Sequence, residues 1–482
     1  MKNIPTKTLA ILDDSFESYT KKRIAHWEII KVNNLKFFSN FYHRNISRVY
    51  QNIIPKGSRI LEIGCGDGNL LDSLNGSYSV GIDFSESAIN FAKKTYPQCN
   101  FFIMDAHSLT LNSADFDFII LSDLLNDVWD VQKVLEEIKP YCKKETRIIC
   151  NIYSHLWNTP LMVARFLGLA SPQLNQNWLT KNDLTNFLRI SNFETLNYWH
   201  EILIPFPIFS TFFNRYLAKI FPFNHLALSN FLIARSAISP SFSRPSVSII
   251  VPARNESGHI HELLMRVPNL PSEVEIIFVE GNSTDDTYNT INAEIKNFPY
   301  KNCRLYKQTG KGKGDAVRLG FDKAKNEILM ILDSDMTVPP EDLSKFYNLI
   351  ASGDAEFVNG VRLVYPMEDK AMRFLNLLGN KFFSTAFTWL LGQPIRDTLC
   401  GTKVLKKSDY LRIISNRAYF GNFDPFGDFD LLFGAAKLNL KILEIPIRYR
   451  ARKYGETNIS RWSHGWLLLK MVVFAARKIK FI

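Results

Sequence analysis

Short apolar runs rich in β-branched residues alternate with helix-period stretches along this chain, and the whole alternation starts twice. In the first half the runs are Arg59–Ile63, Tyr78–Ile82, Phe101–Met104, Phe116–Leu121 and Arg147–Ile152, with a closing run at Leu226–Ala234. Helical patterns fall between them, as in Ser85–Thr95 and Leu124–Lys139. At Ser239–Pro245 the pattern dissolves into Pro and Ser, which predicts a linker. It resumes with Val247–Val251, Val274–Val279, Arg304–Lys307 and Ile328–Leu332. Strand and helix in alternation predict parallel sheets, so the expected fold class is α/β with two doubly wound domains. The expected boundaries are 1–237, a linker at 238–245, and 246–482.

Two apolar stretches need separate treatment. Residues 202–237 are interrupted by Pro205, Pro207, Arg215, Lys219 and Pro222, and residues 466–482 by Lys470, Arg477, Lys478 and Lys480. Neither has the roughly 18 uninterrupted apolar residues of a membrane span. The second predicts a basic amphipathic helix, which can lie on an anionic membrane face or pack on its own domain. The first 16 residues carry charges throughout and no apolar run of the signal-peptide kind, so the expected location is cytoplasmic, peripheral on the inner membrane face.

Composition narrows the picture. With 46% apolar and 22% charged residues the chain can fill two cores, and a net charge of +11 favours anionic partners. The six cysteines include no Cys-x-x-Cys pair, which argues against a zinc ribbon or a disulfide framework.

In the first half, strand Arg59–Ile63 runs into Gly64-Cys65-Gly66-Asp67-Gly68, where glycines permit a sharp turn and close approach of a ligand. Asp83 closes the next strand, and Asp105, followed by Ala106, the third. The stretch Glu62 to Asp105 resembles the class I S-adenosylmethionine-dependent methyltransferases, a Rossmann-like fold, and the resemblance extends over roughly residues 20–237. It implies S-adenosylmethionine as cofactor, the glycine loop around its methionine part, Asp83 on the ribose and Asp105 with Ala106 by the adenine. The implied pocket is Glu62, Gly64, Gly66, Gly68, Asp83, Asp105, Ala106 and Ser122, with Ser122-Asp123 at the reactive end. A dinucleotide is the rival, but the third glycine falls one position early for it. Tyr153 and His155 read either as groups that orient or deprotonate an acceptor hydroxyl or as structural side chains. Ser122-Asp123-Leu124-Leu125 stands where base-modifying enzymes often carry Asn/Asp-Pro-Pro-aromatic, so no nucleic-acid partner is expected.

In the second half, Val247–Val251 leads to Pro252-Ala253-Arg254-Asn255-Glu256, and Ile328–Leu332 delivers Asp333-Ser334-Asp335. Two carboxylates one residue apart at a strand end can share a hard divalent cation that bridges a diphosphate. From Ser246 onward the chain resembles the family-2-type glycosyltransferases of the GT-A fold, near the polyprenyl-phosphate (dolichyl-phosphate mannose synthase-like) branch. Asn359–Arg362, Arg396–Lys403, Gly427–Asp430 and the basic run from Arg448 to Ser460 also carry that resemblance. It implies a nucleotide-sugar pocket of Pro252, Arg254, Glu256, Glu280, Asp285, Lys313, Asp333 and Arg362, with Asp333 and Asp335 holding Mg²⁺ or Mn²⁺. Arg362, Arg396, Arg448 and Arg452 are expected to face phosphates, with Lys453 and Asn458 on the acceptor side. Arg396, Asp428 and Asp430 are the candidate catalytic groups; the two aspartates read equally as helix-start carboxylates. Glu280-Gly281 departs from the two aspartates usual in relatives, which leaves GDP- and UDP-hexose both open as donors.

Together these readings predict a bifunctional enzyme. One half transfers a hexose from a nucleotide-diphosphate sugar to a polyprenyl phosphate or similar lipid, metal-dependent and inverting. The other transfers a methyl group to a small-molecule, lipid or glycan acceptor. In the alternative, the sugar goes to a hydroxyl of a glycan or metabolite, and the methyltransferase half is inactive or modifies the same product.

Overall fold

The computed structural model describes residues 16–27, 36–112, 115–167, 174–207, 209–237, 244–362, 374–415, 429–448 and 461–482. The chain divides into two compact units, residues 1–237 and 238–480. Each is a seven-stranded mixed sheet with helices on both faces.

The first unit contains β1 (Arg59–Ile63), β2 (Tyr78–Asp83), β3 (Asn100–Ile103), β4 (Phe116–Ser122), β5 (Cys142–Tyr153), β6 (Phe193–Glu201) and β7 (Ser229–Ser236). Their order is β3-β2-β1-β4-β5-β7-β6, and β7 alone runs against its neighbours. Alternate side chains of the central strands enter two separate cores: Leu61 and Ile63 on one face, Ile60 on the other. The strand expectations for β1 to β5 find their elements here, β5 starting earlier than expected. The expected helix Leu124–Lys139 is broken. A short 3₁₀ turn covers Leu124–Asn126, and the helix proper, Val131–Ile138, begins where the Asp130 side chain accepts the Lys133 N–H at 3.0 Å.

The second unit contains β8 (Val247–Ala253), β9 (Val274–Glu280), β10 (Asn302–Lys307), β11 (Ile328–Ile331), β12 (Phe357–Val361), β13 (Lys403–Lys406) and β14 (Ile442–Pro446). Their order is β10-β9-β8-β11-β13-β12-β14, again with one reversed strand, β13. That reversal positions the site. Because β13 runs antiparallel, the segment entering it, Arg396–Thr402, arrives at the edge where β11 and β12 end.

Helix Arg461–Ala475 buries Leu468, Met471 and Ala475 in this unit's core, against Phe387 and Leu390 of helix Phe374–Leu391. Trp466, Leu469 and Val473 remain exposed on its other side. The helix therefore packs on its own domain with one stripe while keeping an apolar outer face. Among the described residues no helix is long and apolar enough to cross a membrane.

Candidate active sites

In the first unit the loop after β1 is pinned to the end of β2. The N–H groups of Gly64 and Cys65 both donate to the Ile82 carbonyl, at 2.7 and 2.9 Å. Gly66 sits at φ +53°, and a Cβ there would meet nothing within 4 Å, so the loop presents bare backbone to open space. Its N–H donates to Asp83 Oδ2 at 2.9 Å while the Ser85 N–H donates to Oδ1 at 2.8 Å. A carboxylate with about four acceptor positions at the end of β2 suits a ribose with two hydroxyls. Glu62 is buried beside it with Oε2 lacking a hydrogen-bond partner. Burial first, then the nearby Asp67 and Asp83, push its carboxyl well above the ordinary range. A buried acceptor wanting a donor suits the ammonium end of S-adenosylmethionine, so these residues fit that cofactor.

Asp105 is held by the residue two positions on. Its Oδ1 is engaged by the His107 N–H at 2.8 Å and by His107 Nδ1 at 2.7 Å. Burial alone would raise its pKa, but those His107 contacts hold it below the usual value. Ala106 is buried next to it.

Past the end of β4, beside Ser122, lies a network the sequence did not announce. Asp123 adopts φ +54°, uncommon for a residue with a side chain. Its carboxylate accepts from Tyr42 Oη at 3.1 Å and from Asn151 Nδ2 at 2.6 Å. Tyr42 Oη lies 3.0 Å from Ser229 Oγ, and Tyr50 Oη donates to Asn151 Oδ1 at 2.8 Å. Tyr42, Tyr50, Asn151 and Ser229 are all buried. Burial pushes Asp123 up to about 7, against the lowering effect of Tyr42 and Asn151. The cluster abuts the glycine loop: a Cβ on Gly64 would stand 2.8 Å from Leu124 Cδ1. Tyr153 lies near it, its ring 5.9 Å from that of Tyr42, whereas His155 is exposed beside Trp178.

In the second unit the loops after β8 and β9 are stitched together. The Asn255 N–H donates to Ser283 Oγ at 3.0 Å, and the Thr284 N–H to Asn255 Oδ1 at 2.8 Å. Asp285 accepts from Ser257 N and Oγ at 3.3 and 3.0 Å on one oxygen, and from Thr287 N at 3.0 Å on the other. Glu256 is buried with Oε2 2.8 Å from His259 Nδ1, and Glu280 is buried under the Ser283 N–H. Glu256 and Glu280 thus build the loops from within and the half-exposed Asp285 ties them together, while the Arg254 side chain stands exposed. The Pro252 carbonyl accepts from Ser334 Oγ at 2.9 Å.

With Ser334 turned inward, Asp333 and Asp335 both stay partly exposed at the end of β11. Lys313 Nζ lies 2.6 Å from Asp333 Oδ1. Asp335 Oδ1 accepts from Thr337 N and Oγ1 at 3.1 and 2.8 Å. Gly401, delivered by the reversed β13, closes on this pair: a Cβ there would stand 2.0 Å from Asp333 Oδ2 and 2.2 Å from Lys313 Nζ. Two carboxylates at a strand end suit Mg²⁺ or Mn²⁺, whose remaining positions substrate phosphates and water complete.

Arg362, expected to face phosphate, clasps buried Asp397, with Nε donating to Oδ2 at 2.6 Å and Nη2 to Oδ1 at 2.8 Å. Burial would raise Asp397, but the guanidinium holds it below the carboxylate range. The pair is internal because a buried carboxylate needs a cation. Arg396 is held by its backbone N–H on the Glu444 carboxylate at 2.9 Å, which leaves its side chain exposed. Asp430 lies in the first turn of helix Phe429–Lys437, and Arg448 is exposed just beyond β14. Asp428, Arg452, Lys453 and Asn458 fall outside the described residues. Two surface hollows, of about 300 Å³ under Trp466 and Arg477 and about 500 Å³ between Trp129 and Phe187, include no residue of the glycine loop or the Asp-x-Asp turn.

Comparison with known proteins adds to this geometry. Residues 54–192 match the family described as Methyltransferase domain, and residues 248–415 the one described as Glycosyl transferase family 2. The chain is 26% identical over 238 residues to a low-salt glycan biosynthesis hexosyltransferase, Agl6, of Haloferax volcanii, covering 48% of this chain and 54% of that protein. It is 27% identical over 228 residues to a dolichyl-phosphate hexose transferase of the same organism, covering 47% of this chain and 92% of the relative. Among solved structures, a SAM-dependent methyltransferase of Thermotoga maritima aligns with a TM-score of 0.36 at 15% identity, covering 44% of this chain and 99% of that one. The chain thus spans about half the length of the first of these relatives and most of the second.

Proposed function

We propose that this chain, a methyltransferase domain over residues 54–192 joined to a family 2 glycosyl transferase domain over 248–415, is a bifunctional transferase. Its second half transfers a hexosyl group from a nucleotide-diphosphate sugar to a polyprenyl phosphate. Its first half transfers a methyl group from S-adenosylmethionine to an acceptor seated at Asp123.

The reading of the second half rests on Lys313, Asp333 and Gly401 meeting where β11 ends. A divalent ion held there by Asp333 and Asp335 would act as a Lewis acid on the diphosphate. Lys313, next to Asp333, adds a positive charge that offsets the one developing on the leaving nucleotide diphosphate. The exposed guanidiniums of Arg396 and Arg448 suit an anionic acceptor, because Arg matches phosphate oxygens in pairs. A phosphate monoester oxygen attacks the anomeric carbon from the face opposite the departing oxygen and inverts it. With a second pKa of about 6 that phosphate needs no general base. The dolichyl-phosphate hexose transferase, matched over nearly its full length, supports this acceptor class.

In the first half S-adenosylmethionine supplies an electrophilic methyl. Asp83 and the glycine loop hold its ribose and methionine ends, and Glu62 offers a buried acceptor. Asp123, fixed by Tyr42 and Asn151, accepts the proton that an acceptor hydroxyl or amine gives up on methylation.

The test is a donor screen on the full chain with polyprenyl phosphate, Mg²⁺ or Mn²⁺ and S-adenosylmethionine, scored by product mass. Sugar should enter the lipid extract, and Asp335→Asn should lower the rate by ~100-fold or more. Sugar found only in the aqueous phase would move the acceptor to a hydroxyl compound. A native rate for Asp335→Asn would refute the site.

A further inference from the structure

The first unit shows solvent an apolar surface that its cofactor chemistry leaves unused. Helix Asn158–Phe166 buries none of its residues, and Phe166 is 90% exposed. Leu156 projects from the turn before it. A second segment, 202–228, exposes Phe209 at 77% and Phe221 at 75%, with Phe212 and Leu226 beside them. The two segments form one surface, because Trp157 Nε1 donates to the Leu226 carbonyl at 2.8 Å.

This display is built into the fold. Asn214 clasps the backbone of Ile204 through both ends of its amide, at 2.7 and 2.8 Å. Lys219 is buried in an ion pair with Glu201 at 3.1 Å. Taking about 200 Å² for a full aromatic side chain, these exposed apolar groups amount to roughly 800 Å². A typical soluble monomer exposes a contiguous patch of only a few hundred.

Charge identifies the occupant. Residues 154–167 and 202–228 contain Arg165, Arg215 and Lys219 but no Asp or Glu. Lys219 is neutralised by its partner, so the sign is set by the exposed Arg215, whose Nε donates to the Phe481 carbonyl at 2.9 Å, and by the half-buried Arg165, whose Nη2 donates to Gln176 Oε1 at 3.4 Å. A protein-binding face carries a polar rim of mixed charge. Separate turns of projecting phenylalanines with only cations among them match a membrane interface instead. We infer that this face of the methyltransferase unit docks on an anionic lipid bilayer, its aromatic side chains seated at headgroup depth and Arg215 beside lipid phosphates. The inference goes beyond the two transfer reactions and is independent of both.

Vesicle sedimentation of the full chain tests it, with phosphatidylcholine alone and with phosphatidylcholine plus phosphatidylglycerol. Binding is expected on the anionic vesicles and more weakly on the neutral ones. The pair Phe209→Ser with Phe221→Ser should lower partitioning by about tenfold or more, given ~25 cal/mol per Å² of apolar surface. Phe166→Ser, on a side chain 90% exposed, should lower it in the same direction without touching the fold. Trp466→Ser, in the second unit, should act less than the double change. Absence of vesicle binding, or native partitioning by the Phe209/Phe221 variant with unchanged far-ultraviolet dichroism, overturns the inference.

Discussion

Replacing Gly401 by alanine separates catalysis from folding. The new methyl would stand 2.0 Å from Asp333 Oδ2 and 2.2 Å from Lys313 Nζ, where carbon contacts require about 3.5 Å. Both atoms end side chains, so they can yield by the roughly 1.5 Å required without moving a strand. Gly401 does not adopt the left-handed backbone conformation that disfavours alanine. Stability should therefore change by no more than about 1 kcal/mol. Catalysis has no such freedom, because displacing a positioned charge by about 1 Å costs on the order of 100-fold, near 2.7 kcal/mol of barrier. The assay is hexose transfer at saturating donor, beside a thermal melt of the same preparation. Gly379→Ala is the control, since among the described residues its methyl would meet nothing within 4 Å. It sits inside helix Phe374–Leu391, where alanine is favoured by up to about 1 kcal/mol. A native transfer rate for Gly401→Ala would refute the assignment of this pair to the reaction centre.

Arg362→Ala should destabilise the second unit by about 3–5 kcal/mol in urea unfolding, since it strands a buried carboxylate. Asp397 is depressed in the folded chain, so the native pair's stabilisation is full above the unfolded value of 3.8 and is lost as pH falls below it. The variant should lack that acid-dependent loss. For Asp123 the sign is opposite. The folded group keeps its proton up to about 7, the unfolded one only to 3.8, so its contribution to stability declines as pH rises through that window. Methyl transfer that uses the ionised form should increase across a midpoint near 7. Tyr42→Phe removes a donor to the carboxylate and should move that midpoint upward, with Tyr50, Asn151, Ser229 and Tyr153 left in place around it.

The parts of both sites that lie within a few residues of a strand end were readable from sequence. The glycine loop, Asp83 and Asp333-Ser334-Asp335 are local motifs, and their strands are short apolar runs with little alternative. What escaped depends on chain crossings. Tyr42 reaches Asp123 from 81 residues away, and Asn151 from 28. Neither has a local signal beyond a polar side chain in an apolar pattern. Arg362 read as a phosphate ligand because its partner, Asp397, is 35 residues on and reaches it only once β13 has reversed direction. The break in Leu124–Lys139 had a visible mark in Asp130, an aspartate three residues before Lys133, which an apolar periodicity read alone passes over.

The seam between the β8 and β9 loops bears on how this site can drift over generations. Asn255 serves Thr284, Asp285 serves Ser257 and Thr287 serves Glu256 across the seam, so a change on either side withdraws a partner from the other. Viable descendants should alter these positions in concert, as a co-inherited block. The exposed Arg254, adjacent to that block yet outside it, can change without disturbing its scaffold.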